Sequence, residues 1–93
     1  MVIGHLSIEI HIPGARSLKE KRMVLRGVKD RIKKFNVAVA EVEYHDLWQR
    51  AGLSVVTVSN DEKQADRELA AVVSEVERLE PGLIARTEVE FLG

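Results

Sequence analysis

The chain reads as an α+β fold in which two helices lie on one face of a four-stranded antiparallel sheet. Three observations carry that reading. Four short segments alternate apolar and polar residues with period two. Two longer segments carry an apolar stripe of helical period, each on one side only. The segments follow one another in the order βαββαβ. Strands that alternate need cover on one face, and helices with a single stripe can bury one side, so sheet and helices must form two layers.

The first strand takes residues 2–12. Leu6, Ile8, Ile10 and Ile12 point one way, and His5, Ser7, Glu9 and His11 the other. Pro13-Gly14 ends it. Ser17-Leu18-Lys19-Glu20 then forms a capping box. In it the Ser17 hydroxyl accepts from the amide of Glu20, and the Glu20 carboxylate reaches back to the amide of Ser17. Leu18, Leu25, Val28 and Ile32, flanked by Val24, predict an amphipathic helix over 18–34. Lys21 falls inside that apolar arc, where its stem can pack while its ammonium reaches out at the end of the sheet.

In the second strand, over 36–45, Val37, Val39, Glu41 and Glu43 oppose Ala38, Ala40, Val42 and Tyr44. Residues 46–50 interrupt the pattern, and the gap is too long for a two-residue hairpin turn, so a wide loop or a bulge is expected. A Val-rich third strand runs over 52–59. Ser59, Asn60 or Asp61 caps a second helix over 61–80, whose stripe is Ala65, Leu69, Val72, Val76 and Leu79. Pro81-Gly82 stops it. Ala85, Thr87, Val89 and Phe91, alternating with Arg86, Glu88 and Glu90, give the fourth strand. Residues 1–93 thus form a single ferredoxin-like domain with strand order 4-1-3-2. Its core should hold Leu6, Ile8, Ile10, Leu25, Val28, Ile32, Leu69, Val72 and Val76.

Composition narrows the function classes. The chain has no cysteine, so disulfide and thiol chemistry are out, and a reducing compartment is expected. Its apolar runs are far too short for a membrane span, and Met1 leads directly into a strand pattern rather than a signal peptide. A cytoplasmic address is the expectation. Net charge is only −1, yet residues 16–34 carry nine of the 14 Lys and Arg against two acids. The chain is a strong charge dipole, which bears on partners rather than on fold.

Within that basic stretch, Lys19, Arg22, Arg26, Lys29 and Lys33 recur at spacings of three and four and therefore stack on one helix face. Like charges so placed disfavour an isolated helix by a few tenths of a kcal/mol per pair. Either acids offset them or an anionic partner does, and Lys and Arg in a row suit RNA phosphates, where counterion release supplies affinity. The acids Asp66, Glu68, Glu75 and Glu77 on the second helix could neutralise the row.

Two further places have the residue types of a site. Gly14, Arg16, Ser17 and Lys21 border a strand-to-helix turn, where free amides and the helix dipole favour a small anion or phosphate. Ser17 is also needed there as a cap. Trp48, the only Trp, and Arg50 cluster with Asp46 and Gln49 at one connection. The first reading is that Trp48 covers the end of a small core while Asp46 caps the turn, and the second is a base-stacking platform with Arg50 beside it.

His5 and His11 lie on one strand face about 20 Å apart, so they cannot share a metal ion. No metal and no cofactor is expected. The open sheet face should carry His5, Ser7, Glu9, His11, Glu88 and Glu90, together with Val37, Val39, Glu41 and Glu43. With no aromatic residue assigned to it, that face fits a homodimer contact better than RNA. No nucleophile stands beside a general base in a recognisable motif, so the chain reads as a binding module rather than an enzyme.

Four stretches, Ser17-Leu18-Lys19-Glu20-Lys21-Arg22, Phe35-Asn36-Val37, Asp46-Leu47-Trp48-Gln49-Arg50-Ala51 and Val58-Ser59-Asn60-Asp61, resemble in order the signature stretches of the small bacterial YlxP-like proteins. The resemblance covers almost the whole chain. It implies a ferredoxin-like fold and no established catalytic residue. Genes of that family often stand beside genes for translation and ribosome-maturation factors, which implies RNA or ribosome work. The sequence therefore leads to an RNA- or ribosome-associated module using the basic row. Its alternatives are a small-anion enzyme or sensor at residues 14–21 and an interaction module pairing through the open sheet face.

Overall fold

A computed structural model describes residues 1–93, and the chain follows the expected plan. β1 (Val2–His11), α1 (Leu18–Ile32), β2 (Ala38–Glu43), β3 (Arg50–Ser59), α2 (Glu62–Leu79) and β4 (Ile84–Leu92) occur in that order. The sheet runs β2-β3-β1-β4 with every neighbour antiparallel. Read from the other edge, this is the strand order 4-1-3-2. Each crossover skips one strand, so α1 carries the chain across β3 and α2 carries it across β1.

Register sets the two faces. Leu6, Ile8 and Ile10 stand opposite Val55, Leu53 and Ala51 of β3 and meet the stripes of both helices. All nine residues expected in the core are buried there, joined by Leu53, Val55, Ala15 and Leu83. At Gly4 α2 packs close against β1, since a Cβ there would lie 3.0 Å from Leu69 Cδ1 and 3.4 Å from Ala65 Cβ.

Both helix starts are capped. The Glu20 amide donates to Ser17 Oγ (3.1 Å), and the Gln64 amide to Asp61 Oδ1 (2.8 Å), so Asp61 is the cap among the three candidates. The reciprocal half of the first box differs from expectation. The Glu20 carboxylate accepts from the amide of Arg16, one residue before Ser17, because the chain enters the helix with Ser17 fully extended.

The open face also needs correcting at β2. Val39 pairs with Val55 and Glu41 with Leu53, so both face the helices, and Val37 packs against the core as well. Ala38 and Ala40, opposite Val56 and Ser54, hold the open face instead. An irregularity between Glu41 and Glu43 then restores Glu43 to that face opposite Gly52, where even a Cβ would come within 2.8 Å of the Glu43 Cβ.

Candidate nucleic-acid interface

The cations of α1 divide by direction. Leu25, Val28, Ile32 and Lys21 form its buried stripe. Arg22, Arg26, Lys29 and Lys33 lie on the flank of that stripe above β2, where with Leu25, Asp30, Val39 and Glu41 they line a groove of about 330 Å³. Lys19 continues the row toward the helix start, exposed and outside the groove.

The acids of α2 do not reach this row. Glu75 is buried on the other flank and pairs with Lys34 and with Arg78. Hydrogen bonds from Lys34 and then Arg78 hold its carboxyl below its ordinary value of 4.5. Glu68 accepts from the Asn36 amide (2.9 Å), fastening the turn after α1. Within the row only Lys33 is paired, with Asp30 at 3.5 Å between two exposed side chains, a contact worth little. Arg22, Arg26 and Lys29 have no carboxylate within ion-pair distance. The row spans about 16 Å from Arg22 to Lys33 at the rise of an α-helix.

The strand-to-helix loop is different. Lys21 is 1% exposed, and its Nζ donates to the carbonyls of Tyr44 (2.7 Å) and Leu47 (2.8 Å) while lying 2.9 Å from Glu41 Oε2. Its ammonium is directed inward, not out past the end of the sheet. Ser17 Oγ is engaged by Glu20, and the Glu20 carboxylate occupies the Arg16 amide, where an incoming anion would bind. Gly14 and Arg16 remain exposed. Of the four residues, only the Arg16 side chain is left as a free cation.

Lys21 and Glu41 are the residues that sequence reasoning left unconnected. A signal was present: Lys21 stands in the apolar stripe of a helix, and Glu41 stands in register with Val37 and Val39. Two ionisable residues in two apolar registers pair because neither can be buried alone.

The loop that Lys21 holds, residues 44–49, presents Trp48 outward. Trp48 is 51% exposed and lies outside the core cluster, so it does not cover the core. The turn closes through the Leu47 amide on the Tyr44 carbonyl, without the Asp46 carboxylate. Arg50 is held 3.0 Å from Glu9 Oε2 and 4.0 Å from the Tyr44 ring centre. His5 contacts Ser54 and Glu90 across the open face.

Residues 3–89 match the family described as "Protein of unknown function (DUF503)". The chain belongs to that family. It is 39% identical to the "Uncharacterized protein YlxP" of Bacillus subtilis (strain 168), over 94% of this chain and 98% of the relative. Among solved structures it resembles a putative antibiotic biosynthesis monooxygenase from Bordetella bronchiseptica, with TM-score 0.59 and 16% identity over 100% of this chain and 97% of that one. It also resembles the de novo designed protein Ferredog-Diesel, with TM-score 0.57 and 17% identity over 95% and 83%. Likeness at such identity is likeness of fold: a protein named a putative monooxygenase and a designed scaffold share this plan, so function must be argued from side chains. No helix is long and apolar enough to cross a membrane.

Proposed function

We propose that this chain is a non-enzymatic cytoplasmic module that binds the phosphate backbone of RNA, free or within the ribosome, through Arg22, Arg26, Lys29 and Lys33, with Lys19 extending the row. One observation carries the reading. These cations line a groove against β2 on the flank of α1 turned away from the acids of α2, and three of the four are unpaired. Four cations against the two acids that border the groove, Asp30 and Glu41, leave a local excess of positive charge, and a row of cations favours a polyanion over a single anion. Contacts of this kind fix position and carry no base information, so binding by the row is largely independent of sequence.

Four contacted phosphates correspond to a log–log salt slope of about −2.8 on a single strand, or an affinity about 50-fold weaker on going from ~50 to ~200 mM salt. Titration of a short RNA at those two salt concentrations tests this. Saturable binding of free phosphate without such a slope would move the site to Arg16 and its loop. Absence of RNA binding at the lower salt would overturn the reading.

A second reading has its own observation. Ala38, Ala40, Val42 and Val56 form a shallow apolar hollow on the open face, and Val42 and Val58 are each 50% exposed. A second copy of the chain laid on this face would cover them. Concentration-dependent mass that an Ala40→Glu variant abolishes would support it.

A further inference from the structure

The loop between β2 and β3 is fastened from within at every turn, yet it carries an indole into solvent. Lys21 holds its backbone at Tyr44 and Leu47. The Ile12 amide holds it at the Gln49 carbonyl (2.9 Å), and the Gln49 side chain donates to the Ala15 carbonyl (3.3 Å). Tyr44 sits at φ 61°, a left-handed conformation that a bulky residue rarely adopts. Strain and a buried ammonium are concentrated on a loop whose Leu47 and Trp48 stay 45% and 51% exposed. Packing does not account for that expense of structure, whereas a preformed binding surface does.

Beside Trp48 is an open recess of about 410 Å³, lined also by His11, Asp46, Leu47, Gln49 and Arg50. That size lies in the range of small-ligand pockets. Its charges argue against a phosphate as the occupant. The Arg50 guanidinium is already balanced by Glu9, and Asp46 contributes an unpaired negative charge. What remains is flat and polar at the rim: an indole, an imidazole, an amide and a carboxylate acceptor. These suit a planar ring with its own donors and acceptors, and every nucleobase offers a face for stacking.

The recess and the basic groove share no lining residue, since His11 and Arg50 belong to the open sheet face, and the β2–β3 loop is what joins them. Glu41 is a wall of that groove and contacts Lys21, the neighbour of Arg22, while β2 runs from that wall directly into Tyr44. The loop therefore stands at the end of the groove where α1 begins. We infer that the recess at Trp48 takes one unpaired base of a single-stranded nucleic acid whose backbone lies along Arg22–Lys33. This rests on the nucleic-acid reading above and adds a selectivity that phosphate contacts cannot give: single strand over duplex, because a base in a duplex has its faces already stacked.

Trp48 is the only Trp, so its fluorescence reports on the recess directly. The experiment titrates a short single-stranded RNA, the same sequence as a duplex, and a free nucleoside monophosphate against wild type, Trp48→Ala and Arg22→Ala/Arg26→Ala. Expected are quenching of wild type by the single strand and not by the duplex, and a loss in Trp48→Ala of about 5- to 150-fold in single-strand affinity with an unchanged salt slope. A single strand that binds without altering the emission, or that binds Trp48→Ala as well as wild type, overturns the inference while leaving the row standing. Quenching by the free nucleotide as strong in Arg22→Ala/Arg26→Ala as in wild type supports the inference, because the recess then takes a base by itself. If wild type and the double cation variant bind the single strand equally, the row reading fails instead. Since Trp48 is half in solvent, its replacement should leave the melting transition in place, which circular dichroism checks.

Discussion

Helix α1 and the turn after it carry two kinds of cation, and they differ in where the fold points them. Lys21 and Lys34 are directed at internal partners: the first at two carbonyls and Glu41, the second at the buried Glu75. Arg22, Arg26 and Lys29 lie between them in sequence and have no carboxylate within ion-pair distance, with Asp30 and Glu41 bordering the same groove. Lys21, which holds the β2–β3 loop, is followed directly by Arg22, which makes no ion pair. Removing the first kind should be felt in stability and removing the second kind in binding.

The largest expected effect is at Lys21. Lys21→Met leaves Glu41 and two loop carbonyls without their partner, and breaking a buried pair in this way costs about 3–5 kcal/mol. Arg22→Ala and Arg26→Ala, on the exposed flank, should each stay within about 0.5 kcal/mol of wild type. Denaturant unfolding of the three variants side by side measures the contrast. Equal losses at all three would erase it.

Next comes the packing beneath both sets of cations. Leu25 and Leu69 are 2% and 1% exposed, and truncation of either to Ala should cost about 2–5 kcal/mol through lost transfer and a residual cavity. The midpoint of unfolding should fall with its slope unchanged.

Acid separates the internal pairs from the free row. Glu75 has its folded pKa lowered by Lys34 and Arg78, so its contribution is complete above its ordinary value of 4.5 and is lost as pH falls through the lowered value. Glu75→Gln should therefore be less stable than wild type near pH ~7, and the gap should close as pH falls below 4.5 and through the lowered value. A gap that persists unchanged in acid would mean that the ion pairs are not its source.

The smallest expected effect is at the cap. Ser17→Ala removes the acceptor for the Glu20 amide and should cost about 1 kcal/mol, read as a shift in the unfolding midpoint.

Periodicity was enough to read the order of elements and the core, because each strand and helix buries one continuous face and a buried face must repeat. It failed where a residue broke its own register. Glu41 looked like a solvent position because it is charged, and with it Val37 and Val39 were turned outward, although an alternating Val-Val row is what a buried face looks like. Only the pairing with Lys21, twenty residues away, explains an acid on that side. The spacing of the basic row gave its straightness but not its flank. That depends on which side of the stripe α2 packs, a matter of crossover handedness rather than of charge. Trp48 was read as cover for the core because a lone Trp in a small domain usually is. Nothing in the local sequence shows that Lys21 would hold its loop away from the core.

The most direct test of the division among the α1 cations is the salt dependence of single-stranded RNA binding by wild type and by Arg22→Ala/Arg26→Ala. Expected is a log–log slope flatter by about 1.4 in the double variant, weaker binding at low salt, and unfolding midpoints that stay close together. Identical slopes and affinities in the two proteins would contradict the account, because the cations left free by the fold would then have no part in holding an anion.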